Sequence, residues 1–401
     1  MKKKLMILGG SRFVIPLIEK AHQMGLFVIT CDYLPHNVAH KYSDMYLNVS
    51  IIDKEAVLKK AIELNIDGIT SFACDPGVVS AAYVAEKMGL ANVGPYKSVV
   101  ILQNKDKFRS FLKDNGFNVP WFFNFHTYKE LLNKKALFTY PLIVKPIDSA
   151  GSKGVTKLND NTLLKEAFNF AKSNSLSGHV IVEEFLENDG HSSSADCFSV
   201  EGKLVFSVFS DQQFDLSSPN IFNPCGTVLP SSMPEKSQCH ISNELQKLIS
   251  LLHMETSIYN VESRLSTNGK EYLMEVSPRG GGNNIAELEA IAYDFDYIEL
   301  VIRASLGMPI CFKEHKLKYP SMTVVLHSHL PGVFKNIYLA DELKPYLVKT
   351  DINVKAGDYI DSFNAANKGL GTLFFRFPSV DILRQYTSKI NDLVKVILYE
   401  Q

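Results

Sequence analysis

The chain carries almost no net charge. Its 42 Lys and Arg nearly balance 43 Asp and Glu, leaving a formal charge of −1. That removes the bulk electrostatic argument for a nucleic-acid or membrane-surface partner. Long apolar runs are also missing: none approaches the ~20 residues that span a bilayer. The N-terminal MKKKLMILGG has the positive start of a signal peptide. Its apolar run is only about five residues, shorter than the roughly 7–15 of a signal core, and it reads as a first strand. Six cysteines (Cys31, Cys74, Cys197, Cys225, Cys239, Cys311) are scattered without a C-x-x-C pair. They read as reduced thiols of a cytoplasmic protein, not as zinc ligands or a disulfide frame.

Several common motifs are absent as well. A dinucleotide fingerprint needs G-x-G-x-x-G after the first strand. Here Gly9-Gly10-Ser11-Arg12-Phe13-Val14 lacks the third glycine, which argues against a dehydrogenase despite Asp32 about 20 residues on. The Walker order G-x-x-x-x-G-K-[ST] does not occur. No G-x-S-x-G and no Cys–His pair marks a protein nucleophile. His36 and His40 are four apart in LPHNVAH, but Pro35 makes a loop and no third ligand is at hand.

What remains is an ordinary globular composition, 46% apolar and 21% charged over 401 residues, enough for two or three domains. The first ~95 residues alternate strand and helix, which predicts a parallel sheet with helices on both faces. Leu5–Leu8, Leu26–Cys31, Tyr46–Val49 and Gly68–Phe72 are its strands. Phe13–Met24, Lys54–Leu64 and Pro76–Met88 are its helices. Ligands bind beyond the carboxyl ends of such strands, where Gly9, Gly10, Ser11, Asp32, Cys74 and Asp75 fall.

After Pro95 the texture changes. A helix carries QNKDKFRSFLKDNG, with Phe108, Phe111 and Leu112 on one face and Lys105, Lys107, Arg109 and Lys113 off it. The strand Tyr140–Pro146 delivers Lys145 at its end. The loop Ile147–Val155 follows, with Ser149, Gly151, Ser152 and Gly154 able to fold backbone amides around phosphate oxygens. The strand His179–Leu186 ends in two carboxylates, Glu183 and Glu184, beside Phe185 and Leu186. Ser192–Phe209 alternates as a hairpin. Gln212–Pro234 is polar and long, so it reads as a substrate loop or lid. Helices are expected at Ser242–His253, Asn284–Leu306 and Ser379–Leu398. A hairpin is expected around Ala356-Gly357.

The sharpest stretch is YLMEVSPRGGGNN, Tyr272–Asn284. One carboxylate, Glu275, sits inside its apolar strand, and Arg279 and three glycines follow at once. Glu262 sits in a second apolar run, YNVESRL, and the STNGKE turn between them suits a hairpin. That hairpin would put both acids on one face, where oxygen ligands suit Mg²⁺. Two merely solvated acids would not explain why each stands within apolar residues.

Read in order, PLIVKP, SAGSKGV, VIVEEFL, VESRL and LMEVSPR resemble the ATP-grasp superfamily, nearest its biotin-carboxylase-like and carbamoyl-phosphate-synthase-like branch. The resemblance implies an α/β and α+β fold: a Rossmann-like parallel-sheet domain at 1–95, an ATP-grasp body of two α+β subdomains at 96–312, and a small α+β domain at 313–401. It implies ATP and Mg²⁺ (or Mn²⁺) as cofactors. Lys105 and Lys145 would contact the α- and β-phosphates, and the Ser149–Gly154 loop would cover the β- and γ-phosphates. Glu183 would accept from adenine N6, while the backbone of Glu184, Phe185 and Leu186 reads the ring edge. His191 would lie near the ribose. Glu262, Glu275 and Ser277 would hold metal, Ser277 standing where the family usually has Asn. Arg279, with Lys145, would act in catalysis. Gly10, Ser11, Asp75, Arg264, Gly281 and Asn283 would face substrate.

The implied activity is that of a carboxylate–amine ligase. ATP phosphorylates a small-molecule carboxylate, and an amine displaces phosphate from the acyl phosphate. A bicarbonate-activating enzyme acting through carboxyphosphate and a catalytically silent ATP-binding protein stand as alternatives. The expected partners are a small acid and an amine, with no nucleic acid, no membrane and a possible homodimer.

Overall fold

In the computed structural model, which describes residues 2–149, 151–313 and 315–399, the first apolar run is a fully enclosed strand. Strand β1 (Lys4–Leu8) buries Leu5, Met6, Ile7 and Leu8 completely. It lies between β2 (Phe27–Asp32) and β4 (Gly68–Ser71), with β3 (Met45–Asn48) beyond β2, and every pairing is parallel. Helix α1 (Ile15–Gln23) joins β1 to β2, α2 (Lys54–Leu64) joins β3 to β4, and α3 (Asp75–Met88) follows β4. Their ends follow local chemistry. Asp53 caps α2 by accepting from the Ala56 amide at 3.0 Å. Pro76 opens α3, and Gly89, in the left-handed region, ends it. The expected strand-helix alternation is borne out.

The expected QNKDKFRSFLKDNG helix is α5 (Lys105–Asp114), and a separate helix, α4 (Tyr96–Gln103), precedes it. Asn104 divides them and caps the second through the Lys107 amide, 3.0 Å away. Next come β5 (Phe122–Phe125), α6 (Tyr128–Lys134), β6 (Leu142–Pro146), β7 (Thr156–Leu158), α7 (Leu164–Ser173) and β8 (Val180–Glu184). The four strands form an antiparallel sheet in the order β5-β8-β6-β7. Its core gathers Leu131, Leu142, Val144, Phe168 and Val182. Full burial of each such side chain contributes about 1.5–3 kcal/mol.

The chain continues as β9 (Ser193–Val200), β10 (Lys203–Phe214), β11 (Pro224–Leu229), α8 (Glu235–Leu251), β12 (Ser257–Leu265), β13 (Glu271–Ser277), α9 (Ile285–Tyr293) and α10 (Ile298–Ser305). After them come β14 (Ser321–Leu326), β15 (Gly332–Leu339), β16 (Leu347–Ile352), β17 (Tyr359–Ile360), β18 (Gly371–Arg376), α11 (Val380–Thr387), α12 (Ile390–Leu393) and β19 (Val394–Leu398). One sheet joins eight strands in the order β13-β12-β9-β10-β11-β14-β18-β16. A small sheet, β17-β15-β19, stands beside it.

Five expectations are corrected here. Much of the supposed lid, Gln212–Pro234, is strand: β11 is an interior strand bonded on both sides, despite its polar Thr227 and Cys225. Backbone pairing, invisible to composition, decides it; residues 215–223 and 230–234 remain outside strand and helix. The Asn284–Leu306 helix breaks at Asp294, which adopts the left-handed conformation at φ 54°. The helix expected from Ser242 begins at Glu235. The C-terminal helix stops at Leu393, and the Val-Lys-Val-Ile-Leu run pairs with β15. Ala356-Gly357 is a turn, but the strands on either side join different sheets.

Candidate active site

The ends of β1 and β4 meet the turn after β13. Gly9 and Cys74 touch so closely that a Cβ on Gly9 would lie 3.1 Å from the Cys74 sulfur. A Cβ on Gly10 would fall 2.3 Å from the His40 ring, which is fixed by Thr30 Oγ1 at 3.0 Å and the Leu34 carbonyl at 3.1 Å. His40 is thus a buried packing residue. Gly10→Ala should cost about 1–3 kcal/mol by overpacking, read as a lower urea midpoint at unchanged slope. Ser11 Oγ is buried and has no protein partner.

Asp75 is the centre of this junction. Arg279 grips it bidentately, Nε to Oδ1 and Nη2 to Oδ2, both at 2.8 Å. Ser277 Oγ donates to Asp75 Oδ1 at 2.8 Å and accepts from Gln103 Nε2 at 2.7 Å. Burial works to raise the Asp75 carboxyl, but the Arg279 charge and these hydrogen bonds hold it below the ordinary carboxylate range. Three separate segments are tied together here: the start of α3, the end of α4 and the turn after β13. The Ser277 hydroxyl is 1% exposed and committed to two protein partners. The expectation that it ligates metal therefore gives way to a bridging role.

The two acids do meet. In the β12–β13 hairpin Glu262 stands directly opposite Glu275. A bulge follows at once, because Ser263 pairs with Leu273, so Met274 is the extra residue. Its carbonyl is taken by Arg109 Nη1 at 2.8 Å. Glu262 is reached by solvent, yet the surrounding walls and then Glu275 raise its carboxyl above the usual range. Lys105 Nζ approaches Glu275 to 3.7 Å and donates to the Ser149 carbonyl at 3.0 Å. Two facing carboxylates with one lysine at their edge are a donor set that a hard divalent cation fits, since its charge relieves their repulsion.

Behind them lies a buried ion triad. Arg109, wholly inaccessible, donates to Glu183 through Nε at 3.0 Å and Nη2 at 3.4 Å. Lys145 binds the same carboxylate. Burial pushes the Glu183 carboxyl up, but the two cations override it and hold it at about 2. Burial also lowers the Lys145 ammonium, against the pull of Glu183. The expectation that Glu183 accepts from adenine N6 is corrected: its oxygens already serve Arg109 and Lys145.

The other expected residues divide clearly. The amides of Glu184 and Phe185 are engaged by the carbonyls of Trp121 and Pro141. The Leu186 amide has no such partner among the described residues. Arg264 Nη1 donates to the Leu186 carbonyl at 2.7 Å, so it braces this connector rather than a distant substrate. Lys157 lies 3.8 Å over the Phe185 ring. His191 is exposed on the loop after it. In the Ser149–Gly154 loop, Ala150 lies outside the described residues. Ser152, at φ 56°, donates to the Phe222 carbonyl at 2.8 Å, and Gly151 and Gly154 also have positive φ. So the short loop 215–223 does reach the Gly/Ser loop. The Gly281 amide donates to buried Asp196 at 3.0 Å, facing the protein interior. Asn283, at φ 52°, turns the chain toward α9.

Residues 102–283 match the family model described as an ATP-grasp domain. The chain contains an ATP-grasp domain. A formate-dependent phosphoribosylglycinamide formyltransferase of Prochlorococcus marinus is 28% identical over 334 residues, 81% of each chain. An L-amino acid ligase from Bacillus licheniformis superposes with a TM-score of 0.84 at 22% identity, covering 100% of this chain and 99% of that one. The biotin carboxylase domain of Hydrogenobacter thermophilus 2-oxoglutarate carboxylase, in complex with Mg-ADP and bicarbonate, gives 0.73 at 14% identity, covering 99% and 91%. The ATP-grasp resemblance drawn from the motifs is borne out, and so is the fold class.

The acid pair, both lysines, the Gly/Ser loop and Arg279 all lie within the ATP-grasp match. Gly10, Ser11 and Asp75 lie before it. Three contributors escaped the sequence reading. Arg109 was placed off the apolar face of its helix, although it follows Lys105 by four and so shares that residue's side. Gln103 carried no signal. Asp196, which anchors Gly281 and accepts from Tyr297 at 3.0 Å, looked like one polar position in an alternating strand.

Proposed function

We propose that the protein is an ATP-dependent carboxylate–amine ligase. The observation that carries this reading is the Glu262–Glu275 pair on one hairpin, faced by Lys105 and followed by the Arg279–Asp75 clasp. Glu262 and Glu275 would hold Mg²⁺ or Mn²⁺. The ion supplies charge neutralisation and a template for the phosphates. Lys145 and Lys105 bind phosphate oxygens, and the Ser149–Gly154 loop covers them. The substrate carboxylate attacks the γ-phosphorus and ADP leaves with the electron pair of the broken P–O bond. Arg279 lies where a guanidinium can neutralise the acyl phosphate. The amine then displaces phosphate.

The backbone around Glu184 and Leu186 reads the adenine edge, and Glu183 instead orients Lys145. Asp75 positions Arg279 and joins the 1–95 segment, where Gly10 and Ser11 would contact the acid, to the ATP-grasp body. The formyltransferase relative supports this reading, since its name pairs a small carboxylate, formate, with an acceptor. Free cysteines and an ATP substrate fit a cytoplasmic enzyme. The test is ADP and phosphate release from Mg-ATP with a pooled set of small carboxylates and amines. ADP formation dependent on both an acid and an amine is expected. AMP and pyrophosphate would rule the acyl-phosphate route out, and ADP with bicarbonate alone would favour carboxyphosphate chemistry.

A further inference from the structure

A second set of ligand-type side chains stands where β10 and β14 end. Asp215 follows β10 directly, and His327 and His329 follow β14. Their ligand atoms all lie within 4.8 Å of one another. His327 Nε2 is 3.1 Å and His329 Nε2 2.6 Å from the same oxygen, Asp215 Oδ2. Asp215 and His327 are largely enclosed, while the His329 side chain is 47% exposed and leaves a route in from solvent.

The second nitrogen of His327 decides what this cluster needs. Nδ1 lies 2.7 Å from the Val325 carbonyl. A carbonyl oxygen only accepts, so Nδ1 carries the hydrogen. In the neutral ring Nε2 then offers a lone pair, and it points at a carboxylate oxygen. That contact is satisfied by a second ring proton or by a metal cation shared between the two atoms. An imidazole whose Nδ1–H is fixed by a backbone carbonyl is also the arrangement that orients a metal-binding histidine. Asp215 is braced in the same sense: Oδ1 accepts from the Ser217 amide at 2.9 Å, which leaves Oδ2 as the ligand atom. Phe363 packs on the His327 ring at 4.5 Å and limits its rotation.

The distances suit a small ion. Donors about 2.0–2.1 Å from a tetrahedral centre are about 3.3 Å apart. The His327–Asp215 spacing is already close to that, and exposed His329 can withdraw by the small remainder. We infer that Asp215, His327 and His329 form a binding site for one divalent transition-metal ion, zinc foremost, with its remaining position open to solvent. Two imidazoles and one carboxylate favour such ions over Mg²⁺, which takes oxygen ligands. The site is therefore chemically distinct from the Glu262–Glu275 pair, and it does not depend on the ligase reading.

The ion would tie the root of the 215–223 loop to β14. Ser218 Oγ donates to the Phe363 carbonyl at 3.0 Å, and Phe222 accepts from Ser152 of the Gly/Ser loop. The metal is thus a positioning element for the loop that meets the phosphate-covering segment.

The experiment uses untagged full-length protein, stripped with chelator and titrated with Zn²⁺ and, separately, with Co²⁺. One equivalent of bound zinc and the visible absorption of low-coordinate Co²⁺ are expected. His327→Gln should weaken binding by about 100-fold or more, because losing a ligand exceeds the 10–100-fold cost of losing an outer partner. His329→Gln makes a half-exposed change that the fold tolerates, and it should weaken binding by at least about 10-fold. Glu262→Gln should leave the bound zinc in place. The proposal is overturned if no stoichiometric zinc or cobalt binds, or if binding persists unchanged in Asp215→Asn and His329→Gln.

Discussion

Glu183→Gln is expected to destabilise the protein by about 3–5 kcal/mol, the cost of breaking a buried ion pair from one side. Arg109 is fully enclosed, and Glu183 is 1% exposed. Gln keeps the shape and removes the one negative charge between two cations. Arg109 and Lys145 would then face each other uncompensated. Urea unfolding should show the loss as a lower midpoint at unchanged slope. The pH dependence has a definite sign. Glu183 is held at about 2, below the roughly 4.3 of an unfolded glutamate. Its stabilising contribution is complete above the unfolded value and disappears as pH falls toward 2. Wild type should lose more stability than the variant across that acid window. A loss below about 1 kcal/mol would mean the carboxylate is a ligand contact rather than part of the frame.

That prediction rests on a contact no local pattern could reveal. Arg109 and Glu183 are 74 residues apart, and only the approach of α5 to β8 joins them. The apolar runs did announce β1, β6 and β8, whose enclosed positions are mostly Leu, Met, Ile and Val. The hairpin announced the acid pair, because register puts directly opposed residues on one face. Partners of polar atoms stayed hidden. Ser277 was singled out through the family resemblance, but its hydroxyl donates to Asp75, 202 residues away. Strand β11 was hidden for a related reason: its pairing satisfies the backbone, so its side chains can be small and polar. The β19 residues were absorbed into the helix before them, although their β-branched side chains favour a strand.

Glu275→Gln is expected to move activity and stability in opposite directions. Glu275 is on the rim of the cleft, its side chain 33% exposed, opposite Glu262. Like charges directly opposed across a hairpin are destabilising by about 0.2–1 kcal/mol. Removing one should therefore leave the metal-free protein as stable as wild type or slightly more so. Catalysis should collapse, because the remaining acid cannot by itself hold the ion that neutralises the phosphates. A loss of several kcal/mol of transition-state stabilisation is on the order of 10³-fold in kcat. The thermal shift produced by Mg-ATP in wild type should shrink in the variant, since binding to the folded state stabilises it by mass action. The Glu262→Gln protein should behave alike, because each acid needs the other. Turnover within about tenfold of wild type in either variant, less than about 1.4 kcal/mol, would place the essential cation elsewhere and remove the central support of the ligase reading.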